Sequence, residues 1–94
     1  LLTKSLKPDP ETLALQALAW LAGEPEELER FMALSGVDRD ALRARASDPD
    51  MLAAVLDYLM GHEPTLLSFC QAAGIAPTAP ARARAALPDA PLVD

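Results

Sequence analysis

The chain has 94 residues, a net charge of −6 and a pI near 4.6; 51% of it is hydrophobic but only 4% aromatic. That length holds one domain with an ordinary core, and the acidic balance works against binding nucleic acid or an anionic membrane, either of which asks for a concentrated basic surface. Apolar runs of about ten residues fall short of the roughly twenty a spanning helix needs, and the abundance of Leu and Ala, with no stretch of period two, leaves helix as the only regular structure supported.

Taken in order, Leu1 to Lys7 is too short and too weakly apolar for a complete signal peptide, and it lacks an initiating Met, as a piece of a longer product would. Residues 1–8 are expected to be a flexible segment. Asp9-Pro10-Glu11 supplies a cap, a proline suited to the first helical position and a charge that complements the helix dipole. The helix it opens should reach Ala22 and stop at Gly23. A second should begin near Glu24-Pro25-Glu26-Glu27 and end at Gly36 in a left-handed stop. Asp38 then caps a third, with Val37 and Leu42 at the two positions of a hydrophobic staple. Asp48-Pro49-Asp50 opens a fourth helix running to about Met60, and Glu63-Pro64-Thr65 a fifth that stops at Gly74. A weaker sixth spans about Thr78 or Ala81 to Leu87. The domain is therefore expected over residues 9–88, with a flexible tail over 89–94.

An internal echo runs through these elements at an offset of 38. Leu18 matches Leu56, Leu21 matches Leu59, Gly23 matches Gly61, Leu28 matches Leu66, Phe31 matches Phe69 and Gly36 matches Gly74. Similar residues pair Leu13 with Met51, Ala17 with Val55, Trp20 with Tyr58 and Val37 with Ile75. Apolar positions and glycine stops match while polar positions drift, as two copies of one packing unit would. The expected fold class is all-α: five or six short helices in a compact bundle, read as two pseudo-repeated three-helix units.

The two lead helices are the most apolar. Leu13 to Ala22 holds one polar residue, Gln16, and Met51 to Met60 holds one, Asp57. Helices apolar nearly all round need cover on most sides, so these two are expected at the centre, against each other. Leu28, Phe31, Met32 and Ser35 form an inward stripe on the second helix, with Glu24, Glu26, Glu27, Glu29 and Arg30 outside. Any strip the shorter helices leave bare would be a partner or self-association surface.

No catalytic constellation stands out. One His62 at a helix boundary cannot build a histidine-rich metal site and reads as a turn or cap residue. Cys70, the only cysteine, permits no internal disulfide, which fits a reducing compartment; with no cation near it in sequence it reads as a small buried hydrophobe. Asp48 and Asp50 read as caps rather than a metal pair. There is no phosphate-binding glycine loop, paired-cysteine motif or serine elbow. Accordingly no metal, cofactor or small-molecule substrate is expected, and the chain is not expected to be an enzyme.

Residues 27–46 have the outline of a helix-turn-helix, with Gly36 in the turn and Arg39, Arg43 and Arg45 on the second helix. Arg39 and Arg43, at i,i+4, could reach phosphates or base edges. Asp38 and Asp40 stand where base contacts normally fall, however, and Pro77 and Pro80 break the equivalent helix of the second half.

Three stretches, Ala14 to Ala22, Arg30 to Asp38 and Met51 to Leu59, resemble a short proteobacterial family of single-domain helical proteins known as a domain of unknown function. The resemblance covers roughly residues 9 to 88 and implies a cytoplasmic, bacterial, helical domain, with no activity, cofactor or site residue to carry over. The expected function is that of a non-catalytic protein-interaction or adaptor module, with an unidentified protein partner or a second copy of itself. A DNA-binding regulator using residues 27–46 is the alternative. Trp20 and Tyr58 are candidate contact anchors if exposed, and Arg39, Arg43 and Arg45 a candidate patch for an acidic partner.

Overall fold

Five of the helices carry a proline in the first turn, so their starts are fixed by rings that set φ and withhold a donor that has no partner there anyway. The computed structural model describes residues 9–87, and the expectations for residues 1–8 and 88–94 lie outside that range. Within it the order is α1 (Pro10–Ala22), α2 (Pro25–Ser35), α3 (Arg39–Ala44), α4 (Pro49–Met60), α5 (Glu63–Ala73) and α6 (Ala79–Ala86). No strand occurs among the described residues, and the all-α expectation holds.

Side chains close several helix starts. The carboxylates of Asp9, Asp38 and Asp48 accept from the backbone N–H of Thr12, Ala41 and Asp50 at 3.2, 2.8 and 3.0 Å, satisfying donors the helix leaves unpaired. At the other ends, Gly36 and Gly74 enter the left-handed region at φ 77° and 71°, where a Cβ would be strained. Pro80 opens α6 and is buried. The expectation that Pro77 and Pro80 break this helix is thus corrected: proline in a first turn starts a helix, and only further in would it interrupt one.

Helices α1 and α4 pack against each other, and α6 lies against both. Helix α2 packs on α1 and α4, and α5 on the same two. The two lead helices are not equivalent. In α4, Met51, Leu52, Ala53, Val55, Leu56, Tyr58 and Leu59 are all buried, whereas α1 buries Leu13, Ala14, Ala17, Leu18 and Leu21 and leaves Leu15, Ala19 and Ala22 exposed. The reason is the jacket: α3 has six residues, too few to cover the side of α1 left by α2, α5 and α6.

Aromatic pairs tie the halves together. The ring of Trp20 on α1 lies 5.7 Å from that of Phe69 on α5, and Tyr58 on α4 meets Phe31 on α2 edge-on at 5.5 Å. On the α2 stripe, Leu28 and Phe31 are buried and Met32 half-buried, but Ser35 is exposed; its hydroxyl instead accepts from the Val37 N–H at 3.2 Å.

Candidate functional site

Helix α3 is placed by its two ends. Gly36 turns the chain out of α2, Asp38 caps the new helix, and Leu42 anchors it in the core with Val37 packed alongside, as the staple positions require. Fixing Leu42 inward sets Arg39 and Arg43, three before it and one after, on the flank of the helix beside it. Both are exposed, and both line a groove of about 200 Å³ floored by Leu18 and Ala22 of α1, Leu28 of α2 and Leu42 itself. Among the described residues neither arginine makes a salt bridge or side-chain hydrogen bond. In a chain of net charge −6 with 14 acidic side chains, two arginines facing one apolar groove without an acid are an unmatched feature.

Arg45 is elsewhere. Its Nε donates to the Asp48 carboxylate at 3.2 Å, bracing the turn into α4, and the hydrogen bonds at Asp48 from Asp50 and Arg45 hold that carboxyl below its ordinary value. The three arginines read from sequence as one patch are therefore a pair and a separate structural residue.

Trp20 is half-buried and lines a second shallow groove, about 240 Å³, with Gln16, Phe69, Ala72 and Ala73. Tyr58 is only 7% exposed. A contact anchor must be reachable, so Tyr58 leaves the candidate set and counts as core.

Its hydroxyl serves a polar network that patterning did not reveal. Glu27, expected on the solvent side, is partly buried where α2 meets α4 and α5. Its Oε1 accepts from Tyr58 Oη at 2.7 Å, Thr65 Oγ1 at 2.9 Å and Arg30 Nη1 at 3.1 Å. Burial works against the Glu27 charge, but the hydrogen bonds from Tyr58 and Thr65 and the nearby charges of Arg30 and His62 outweigh it and hold the carboxyl below its ordinary value. Burial, reinforced by the hydrogen bond to Glu27, pushes the Tyr58 phenol up. His62 stands at the start of α5, half-buried, with Nδ1 2.9 Å from the Tyr58 carbonyl oxygen and its ring 4.6 Å from the phenol. The Tyr58 and Thr65 hydroxyls both donate to Glu27, so the cluster clamps α2, α4 and α5 together. The one sequence signal for it was Thr65, a hydroxyl among the apolar residues that open α5.

Cys70 is 2% exposed and burial pushes its thiol up, the reverse of what a nucleophile needs. Among the described residues, no group of three or more His, Cys, Asp or Glu is placed to hold a metal ion. No helix among them is long and apolar enough to cross a membrane.

The sequence matches the profile of the family described as protein of unknown function (DUF3572) over residues 7–90. The chain belongs to this family. No curated protein and no solved structure matches it. Membership in DUF3572 thus gives a relationship without an activity.

Proposed function

We propose that the domain is a non-catalytic protein-interaction module that docks another protein chain on the face formed by α1, α2 and α3. One observation carries this reading: Arg39 and Arg43, exposed and without an acidic partner, overhang an apolar groove. At about 200 Å³ the groove is smaller than the ~300–1,000 Å³ of sites that bury a small molecule. It suits one or two aliphatic side chains flanked by carboxylates, the anchor-and-rim arrangement of protein contacts. A single buried, unpaired cysteine fits a reducing, cytoplasmic setting for such a module.

The internal echo enters as part of the same reading. Trp20–Phe69 and Tyr58–Phe31 pair the same two kinds of position with the halves exchanged, as two copies of a unit around a pseudo-twofold would. Of the two third helices, α6 packs on both lead helices and its counterpart α3 does not. On this account, that lost symmetry is what opens the groove. The DNA-binding alternative over residues 27–46 has less behind it: α3 is six residues long and begins among Asp38 and Asp40.

Photo-crosslinking in the native cell tests the reading. A photoreactive residue at Ala22 or Arg43 is expected to give a protein adduct that the same residue at Ser68 on α5 does not. Adducts at Ser68 with none at Ala22 or Arg43 would contradict the proposal, and transfer to nucleic acid would favour the alternative.

A further inference from the structure

The exposed side of α1 continues the groove. At 100° per residue Glu11, Leu15, Leu18 and Ala22 fall in one narrow stripe, with Ala19 beside it. Leu18 and Ala22 form the groove floor, Leu15 is 41% exposed, and Glu11 stands exposed in the first turn. Along one face the order is a free carboxylate, an exposed leucine, an apolar groove, and two free arginines. Glu11, like Arg39 and Arg43, makes no ion pair or side-chain hydrogen bond among the described residues.

We infer that the occupant of the groove is a second copy of this chain, bound through an antiparallel α1–α1 contact. This rests on the functional reading above and names its partner. The face is self-complementary, and only the antiparallel arrangement matches it. Turned end for end, one α1 sets its Leu15 into the other's groove among Leu18, Ala22, Leu28 and Leu42. Glu11 lies one turn beyond Leu15, about 6 Å further along the axis, and so reaches past Ala22 to Arg39 and Arg43 of the second copy. The twofold repeats each contact, giving two leucine anchors and two acid–arginine clusters from one patch, the mark of an isologous interface. A parallel arrangement would set Glu11 beside Glu11 and leave both arginine pairs unmatched. Helix α1, at 13 residues, is about 20 Å long, so the contact belongs to the small, reversible class of interface.

Sedimentation equilibrium of the whole chain, with two charge-reversed variants, tests this. Wild type should rise from 10.0 kDa toward twice that mass as concentration climbs through the micromolar range. Glu11→Arg alone, and Arg39→Glu/Arg43→Glu alone, should each weaken association by about tenfold or more, since both clusters then oppose like charges. An equimolar mixture of the two variants should associate again, because Arg at 11 of one meets Glu at 39 and 43 of the other, while the unchanged groups pair at the second cluster. Circular dichroism confirms that both variants are folded, and Leu15→Ser, which leaves every charge in place, should also weaken association. A wild type that stays at 10.0 kDa throughout, or variants whose mixture associates no better than either alone, would overturn the self-pairing. The two readings fail distinguishably. A strictly monomeric chain that still crosslinks a different protein at Ala22 removes the dimer and keeps the docking face, whereas the absence of any protein adduct at Ala22 and Arg43, to the chain's own copies included, removes the docking face and the dimer with it.

Discussion

Glu27 and Thr65 stand 38 positions apart, the offset of the internal echo, and are joined by a 2.9 Å hydrogen bond from the threonine hydroxyl to the carboxylate. With Tyr58 donating to the same oxygen, one acid on α2 fastens both α4 and α5. Glu27→Ala would leave the buried Tyr58 and Thr65 hydroxyls without their acceptor and should cost about 1–3 kcal/mol in urea unfolding. Glu27→Gln retains an acceptor oxygen and should cost less. Equal losses for the two variants would mean that the network does not act through its hydrogen bonds.

The same network sets the pH dependence. The Glu27 carboxyl is held below its ordinary value, so the stability it contributes is present above the usual carboxylate range near 4.5 and is lost as pH falls through the lower folded value. The Tyr58 phenol is raised, so its contribution is complete below the ordinary value near 10 and disappears as pH climbs through the higher folded value. Melting temperature against pH should therefore fall at both ends. Glu27→Gln should flatten the acid limb and Tyr58→Phe the alkaline one. Acid and alkaline limbs left unchanged by these substitutions would count against the assignment.

The α1–α4 contact carries the core. Leu21 and Leu59 are fully buried, and truncation of either to Ala should cost about 2–5 kcal/mol by cavity formation. Leu34→Ala, at a side chain 63% exposed, should change stability by no more than about 0.5 kcal/mol. Chemical denaturation of the three variants gives the comparison directly, and a similar loss at Leu34 would mean that this residue is covered in solution.

Two glycines should respond with opposite sign. Gly36 sits at φ 77°, and an Ala there would pay roughly 1–2 kcal/mol for the left-handed conformation although nothing crowds the added methyl. Gly61, at φ −85°, places an added Cβ 3.5 Å from the Asp57 carbonyl oxygen, an ordinary contact. Gly61→Ala should stabilise by about 0.4–1 kcal/mol through the unfolded chain. Thermal melts that rank the two the other way would contradict the helix-stop geometry.

Local signals in the chain carried the element map, since caps, first-turn prolines and glycine stops act on their own neighbours. Asp9-Pro10, Asp38 and Asp48-Pro49 mark helix starts that need no tertiary information. What stayed hidden is tertiary. Helical spacing sets Glu27 four residues before Phe31, at the edge of the buried stripe, but its burial and its partners come only with α4 and α5. Likewise the near-uniform apolar character of α1 reads as burial on every side, while its real exposure depends on how little six-residue α3 can cover. Arg45 differs from Arg39 and Arg43 only through Asp48, three residues on, at the point where the chain turns.

The claim on which the functional account turns is that the face of α1 and α3 is where this domain meets its partner. Amide spectra of the isotopically labelled chain, recorded from dilute to concentrated, test it residue by residue. The account predicts concentration-dependent shifts at Leu15, Ala19, Ala22, Arg39 and Arg43, with Leu67, Ser68 and Gln71 on α5 unmoved. Shifts gathered on α5 and at the neighbouring Trp20, with Leu15, Ala22, Arg39 and Arg43 silent, would contradict it.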